Sequence, residues 1–276
     1  MSLSPIVKWV GGKRQLLDRI LPLIPKDAAF YCEPFVGGGA VLFALQPERG
    51  WINDINPELM LVYQVIREDV EGLIRALSRF RNDAACFYAV RDWDRDPAAY
   101  SARPAVEKAA RLVYLNKTCY NGLYRVNNAG EFNAPFGKYR NPNIVNADAL
   151  RSVSVYFRRA NLKMTSTDFE AVLSALPEGA FVYLDPPYDP VSDTAHFTGY
   201  APGGFSRQEQ IRLRKCCDAL DRRGIRFLLS NSATDFIREQ YDAYEQIPVQ
   251  AKRSVNSNAS RRGDVPELLV RNFSVP

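Results

Sequence analysis

Asp185-Pro186-Pro187-Tyr188 directly follows the apolar run Phe181-Val182-Tyr183-Leu184. That run is short, aromatic and β-branched, as expected of a buried strand, and the prolines lock the corner behind it. Proline fixes φ and removes backbone donors, so the corner offers acceptors, the Asp185 carboxylate and the Pro186 carbonyl, together with the π-face of Tyr188. Such a set suits a planar exocyclic amine, whose two hydrogens need acceptors and whose ring needs a surface to stack on. Asp-Pro alone would be an ordinary strand-end turn. The four residues in this order after an apolar strand are much rarer.

A second constellation, Glu33-Pro34-Phe35-Val36-Gly37-Gly38-Gly39-Ala40, lies between an expected strand and an expected helix. Three successive glycines let backbone approach a ligand with no Cβ in the way. The spacing is not the Gly-x-Gly-x-x-Gly of dinucleotide enzymes, and Gly11-Gly12-Lys13 is not a phosphate-binding P-loop. Asp54 ends the next short strand, Trp51-Ile52-Asn53-Asp54, where an acid can accept both hydrogen bonds of a ribose diol. It equally suits a turn or N-cap before Pro57. Together the glycine turn and the acid favour an adenosine-containing ligand.

The elements that must position these groups read as an α/β domain: a strand near 29–32, a helix over 41–45, strands over 161–165, 181–184 and 225–230, and a closing pair over 244–249 and 268–273. An amphipathic helix is expected after Lys13, with Leu16, Leu17, Ile20 and Leu21 on its face. Phe169 to Leu176 is expected as a helix, and Ser206 with Glu209 as a capping box before another. Residues 56–116 carry helical periodicity, interrupted by a polar stretch over 91–104. Tyr124-Arg125-Val126 and Glu131-Phe132-Asn133 flank a glycine-bearing loop, the pattern of a β-hairpin. The fold class is therefore α/β, a Rossmann-like, mostly parallel sheet over residues 1–55 and 147–276, with an inserted helical and hairpin region over 56–146.

Composition excludes several alternatives. The chain has 276 residues, 46% hydrophobic and 24% charged, enough for a substantial core. Five cysteines without Cys-x-x-Cys spacing suit a reduced compartment, and packing explains each better than catalysis. With His196 the sole histidine, neither a zinc site nor a histidine triad is expected, and no metal is assigned. Residues 1–13 lack the pattern of a secretory leader, and no apolar run is long enough for a membrane span. Residues 111–163 hold nine basic residues (Arg111, Lys117, Arg125, Lys138, Arg140, Arg151, Arg158, Arg159 and Lys163) against Glu131 and Asp148, hence 9 − 2 = +7 in a chain of +5. With aromatics between them, they suit either a polyanion-binding face or a solvated surface.

Lys8-Trp9-Val10-Gly11-Gly12-Lys13, the glycine turn, Asn53-Asp54-Ile55-Asn56 and Asp185-Pro186-Pro187-Tyr188 occur in the order seen in Dam-like DNA adenine-N6 methyltransferases, which the chain resembles. The run from Asn121 to Asn127 and on from Gly130 to Tyr139 resembles that family's DNA-reading hairpin. Arg253 to Asn258 and Arg261 to Leu269 resemble its closing segment. Residues 83–104 match least and receive no role.

The resemblance implies S-adenosyl-L-methionine as cofactor, held by Trp9, Lys13, Asp54 and Asp185, over Glu33, Phe35, Gly37, Gly38 and Gly39, with Asp168 and Phe169 beside its adenine. From the residues alone, Trp9 equally suits core packing and Lys13 the surface. The resemblance further implies that Asp185 and Pro186 accept the two N–H bonds of adenine and that Tyr188 stacks on a base taken out of duplex DNA. Arg125 is expected to read guanine, a pairing that discriminates by about 1–3 kcal/mol, or else to hold phosphate. Leu123 and Pro135 are expected against thymine methyls, Lys117, Lys138 and Arg140 on phosphates, Asn127 at the DNA, and Asn121 at the DNA or stabilising the turn. GATC is the implied target. Double-stranded DNA is the implied partner of a cytoplasmic monomer of prokaryotic or phage type, working alone or beside a separate restriction enzyme. An RNA or protein amide methyltransferase, or a catalytically silent DNA-binding homologue, are the alternatives.

Overall fold

The structure, a computed structural model, describes residues 3–190, 204–252 and 264–274. His196 and most of the closing segment, residues 253–263, lie outside the described residues. Seven strands form one sheet: β1 (Phe30–Glu33), β2 (Arg49–Asn53), β3 (Asn161–Thr165), β4 (Ala180–Leu184), β5 (Arg226–Ser232), β6 (Glu245–Lys252) and β7 (Asp264–Arg271). Their order is β3-β2-β1-β4-β5-β7-β6. The first five pair in parallel, with Cys32 opposite Trp51 on one side and Val182 on the other, while β7 runs antiparallel to both β5 and β6. All five residues of β4 are buried, which is what a continuous apolar run means in a parallel sheet covered on both faces.

Eleven α-helices are described: α1 (Leu17–Ile20), α2 (Ala40–Leu45), α3 (Pro57–Glu68), α4 (Val70–Leu77), α5 (Ala84–Arg91), α6 (Pro97–Ala102), α7 (Ala105–Thr118), α8 (Ala147–Arg159), α9 (Phe169–Ser174), α10 (Arg207–Arg222) and α11 (Asp235–Gln240). One core joins Tyr31, Phe181 and Tyr183 of the sheet to α2, α3, α4, α7 and α8, and runs on into Tyr124 and Phe132 of the hairpin. The opposite face packs Cys32, Val182, Leu184 and Phe227 against α9, α10 and α11.

Local chemistry sets the element ends. Asn56 caps α3 by accepting from Leu59 N–H at 3.0 Å, with Pro57 in the first turn. Ser206 caps α10, but Glu209 does not complete the capping box, because its carboxylate pairs with Arg212 at 2.6 Å. The helix expected after Lys13 is broken into a 3₁₀ turn (Lys13–Leu16), the single turn α1 and a second 3₁₀ turn (Leu21–Leu23), since Pro22 and Pro25 prevent continuation. The hairpin forms through Asn133 N–H to Arg125 O and Asn127 N–H to Glu131 O, both 2.9 Å, with Gly130 at φ +80° in its loop. It is held by isolated bridges at Val126–Phe132 and Cys119–Phe136 rather than a full ladder. Pro135 brings no N–H to extend it.

Candidate active site

The strand order changes direction between β1 and β4, and ligands of open α/β sheets bind beyond the carboxyl ends at such a point. Asp185 stands there, just past β4, with 19% of its side chain exposed. Lys13, only 5% exposed, places Nζ 2.8 Å from Asp185 Oδ1 and donates to Gly11 O at 2.6 Å. The same ammonium lies 4.6 Å over the Tyr188 ring, a cation–π contact. Lys13 is thus no surface residue; it joins both halves of the corner. Burial raises the Asp185 carboxyl to about 6, with Lys13 pulling it down and Glu267 pushing it up. Tyr188 donates its hydroxyl to Glu267 Oε2 at 2.7 Å and lies 3.3 Å from Ser230 Oγ, and burial holds that phenol well above its usual range.

A second network holds the corner from below. Gln210 Nε2 donates to Pro187 O at 2.8 Å, and Asn231 Oδ1 accepts from Asp189 N–H at 3.2 Å. Asp189 also receives Thr234 Oγ1 and Arg207 Nε at 2.9 and 3.1 Å. Pro186 is itself buried. Rigidity here comes from two prolines plus side chains of α10, β5 and the β5–α11 loop.

The glycine turn is equally built. Gly37 and Gly39 lie at φ +47° and +73°, where a Cβ is strained. An added Cβ would meet Trp9 Cδ1 at 3.0 Å from Gly37 and Phe43 Cε2 at 2.9 Å from Gly39. Gly37 N–H donates to Asp54 Oδ2 at 3.0 Å, and Asn56 N–H to Oδ1 at 2.9 Å. Asp54 therefore makes the turn contact and still keeps acceptor capacity on each oxygen. Burial raises its carboxyl to about 6. Asn53, fully buried, ties β1, β2 and the β3 end together by donating to Pro34 O and Thr167 O, both at 3.0 Å. Glu33 is buried beneath, accepts from Tyr31 OH at 2.8 Å, and is pushed well above the carboxylate range by burial. Trp9 lies between the turn and the hairpin, stacked on Tyr124 with centroids 5.1 Å apart. The backbone of this turn, packed by Trp9 and Phe43, together with the spare acceptor capacity of Asp54, fits a nucleoside cofactor.

The family described as D12 class N6 adenine-specific DNA methyltransferase matches residues 9–255. The type II methyltransferase M1.LlaDCHI of Lactococcus lactis subsp. cremoris is 40% identical over 275 residues, covering 99% of this chain and 96% of its own. The type II methyltransferase M.MjaIII of Methanocaldococcus jannaschii is 40% identical over 294 residues, covering 99% and 100%. The DNA adenine methylase of Escherichia coli is 32% identical over 267 residues, covering 95% and 93%. This chain belongs to the D12 class of N6 adenine-specific DNA methyltransferases. It is an enzyme of methyl transfer to DNA, and its α/β sheet is the methyltransferase sheet of that class.

Within this methyltransferase the other expected site residues fall into distinct places. Phe35 and Phe169 pack together, centroids 5.4 Å apart, beside the glycine turn. Asp168 caps α9 and accepts both terminal nitrogens of Arg212, at 2.7 and 3.1 Å. Arg125, Pro135, Lys138, Arg140 and Asn121 are exposed on the hairpin and its flanks; Leu123 and Lys117 are half-buried. Arg125 is braced by Asn133, through Nε to Oδ1 at 2.7 Å. Asn127 braces the loop instead, Oδ1 accepting from Ala129 and Glu131 N–H at 3.0 Å and Nδ2 donating to Glu131. Asn121 adopts φ +57°, a turn conformation that asparagine tolerates.

The run of nine basic residues is not one face. Arg111 is 1% exposed and buried among Asp94 at 2.5 Å, Glu58 at 3.7 Å and the carbonyls of Val90 and Arg91. Arg151 pairs with Glu71, and Arg158 donates to the carbonyls of Arg67 and Glu68. The segment over 92–95, left without a role by sequence, grips the hairpin: Asp94 accepts from Phe132 N–H at 2.7 Å and Arg95 donates to Phe132 O at 2.8 Å. Asn116 of α7 joins both motifs, bonding Lys8 N–H, Lys8 O and Gly122 O. Sequence reading also missed Ser230 and gave Glu267 no role, though an acid directly before Leu268-Leu269-Val270 was the available signal.

Proposed function

We propose that this chain methylates N6 of an adenine taken out of duplex DNA, within GATC, using S-adenosyl-L-methionine. The observation that carries this reading is the convergence of Asp185, Lys13 and Tyr188 at the sheet's switch point, next to a side-chain-free glycine turn. Bound at that turn, the cofactor would supply an electrophilic methyl group on a positively charged sulfur. Trp9, Asp54 and the Gly37-Gly38-Gly39 backbone would hold it, with Lys13 near its polar end and Phe35, Asp168 and Phe169 beside its base.

Adenine N6 is a poor nucleophile because its lone pair is delocalised into the ring. Asp185 and the Pro186 carbonyl accept its two N–H bonds, which favours a more pyramidal nitrogen with its lone pair directed outward. Tyr188 stacks on the ring. Positioning and electrostatics supply the rate, with no covalent intermediate on the protein. On DNA, residues 56–146 form the recognition region, in which Arg125 reads guanine, Leu123 and Pro135 meet thymine methyls, and Lys117, Lys138 and Arg140 hold phosphates. The relatives named type II methyltransferases support a role beside a restriction enzyme acting separately; a cytoplasmic monomer suffices for transfer to one base.

The test is transfer of a labelled methyl group from S-adenosyl-L-methionine to two matched duplexes, one with GATC and one scrambled. Label in the first alone is expected. Equal label in both would discard the target, and label in neither would discard the substrate and cofactor assignment. Asp185→Ala is expected to abolish transfer and leave DNA binding in place.

A further inference from the structure

Tyr183, Ser230 and Glu267 stand on one face of three neighbouring strands, β4, β5 and β7, on the side that otherwise packs Phe181, Leu228 and Leu269. A carboxylate in that row is out of place in an apolar layer unless something holds it there. Its partner is Tyr188: the phenol donates to Glu267 Oε2 at 2.7 Å and lies 3.3 Å from Ser230 Oγ, which in turn lies 3.1 Å from Tyr183 OH. Tyr188 belongs to the irregular chain after β4, with no helix or strand to fix its side chain. The ring is touched on its face by Lys13 Nζ at 4.6 Å, and that ammonium is shared with Asp185 and Gly11 O. Only the hydroxyl end is tied to the sheet.

We propose that Glu267 is a positioning residue for methyl transfer, its carboxylate fixing the Tyr188 hydroxyl and thereby the plane of the ring that receives the target base. The proposal rests on the reading that Tyr188 faces that base. A hydrogen bond from a phenol to a carboxylate oxygen is directional, so it restrains both the tilt and the rotation of the ring. Ser230 completes the clamp from the adjacent strand, and the sheet register, Ser232 opposite Glu267, keeps the two strands in place. The ring is then preorganised before DNA arrives, which serves the reacting geometry more than affinity for either substrate.

The test is a double-mutant cycle between Glu267→Ala and Tyr188→Phe, read as kcat, KM for a GATC duplex and affinity for S-adenosyl-L-methionine, with Glu267→Gln and Tyr188→Ala alongside. Glu267→Ala is expected to lower kcat about tenfold or more with cofactor affinity unchanged, as loss of that hydrogen bond implies. Tyr188→Phe should lose a similar factor. The double variant should fall no more than about twofold below the weaker single one, and Glu267→Gln, which still accepts from the phenol, should retain kcat within about threefold. The proposal is overturned if Glu267→Ala loses the same factor in the Tyr188→Phe background as in the unsubstituted chain, or if its loss appears in cofactor affinity. Near-normal kcat in Tyr188→Phe overturns it as well, even where Glu267→Ala does not fold. If Tyr188→Ala keeps full kcat, the stacking assignment itself is wrong; if Tyr188→Ala loses activity while the cycle is additive, only the role of Glu267 fails.

Discussion

At Asp185 two pulls oppose each other. Burial lifts the carboxyl to about 6 and Glu267 adds to the lift, while the Lys13 ammonium lowers it. The ionised form accepts more strongly from an adenine amino group than the protonated acid does, so kcat is expected to fall as pH drops through about 6 and to level off above it. A pH profile of single-turnover transfer checks this. Lys13→Met, measured at saturating cofactor, should move that acid limb upward, because the group that lowers the carboxyl is gone. A limb that stays in place would detach Lys13 from Asp185. At the glycine turn, Gly39→Ala puts a Cβ at φ +73° and 2.9 Å from Phe43. It should destabilise by about 1 kcal/mol or more, read as a lower denaturation midpoint. Asp185, Tyr188, Asp54 and the glycines were legible in sequence because each signal is local: an order of four residues, or a turn between two short strands. Glu267 was not, because its local signal, an acid directly before an apolar run, does not point to Tyr188, 79 residues away, and only the sheet brings the two together.

Among the elements, the hairpin shows what spacing can and cannot tell. Its loop and strands followed from Asn127 to Gly130 flanked by Tyr124-Arg125-Val126 and Glu131-Phe132-Asn133. What supports it did not, because Asp94 and Arg95 lie in a polar stretch without periodicity, and their bonds to the Phe132 backbone are tertiary. Arg111 shows the same limit: summed along the sequence it counts as a surface cation, yet it is the buried counterion of Asp94 and Glu58. Arg111→Met should therefore destabilise, by about 1–3 kcal/mol, since it leaves two half-buried acids without their partner. Chemical denaturation measures that directly. In molecules still folded, preference for GATC over a one-base variant should drop while cofactor affinity holds, because Asp94 loses its anchor whereas Asp54 is held by Gly37 and Asn56 N–H. A surface role for Arg111 predicts little change in stability.

Over the whole molecule, the strand order brings Glu33 of β1 beside Asp185, just past β4, where the sheet changes direction, and residues 8–13 run from the hairpin to that point. Lys8 and Gly122 share Asn116, Trp9 joins Tyr124 to the glycine turn, and Lys13 ends on Asp185. The glycine turn, the Asp185–Tyr188 corner and the hairpin thus share one connection. Charge divides in the same way. Lys138 and Arg140 are exposed beside the hairpin, whereas Arg151 is neutralised by Glu71 on α4 and Lys163 lies 3.5 Å over Trp51 on the edge strand β3. Each phosphate contact releases counterions and contributes about 0.9 to the slope of log affinity against log salt. Lys138→Ala with Arg140→Ala should therefore flatten that slope by up to about 2, equally for specific and scrambled duplexes. Arg151→Ala and Lys163→Ala should leave it unchanged, although all four residues lie in the same basic stretch of sequence. Equal flattening by both pairs would mean that DNA wraps from the hairpin round to β3, and that α8, not the hairpin alone, forms part of the DNA-binding face.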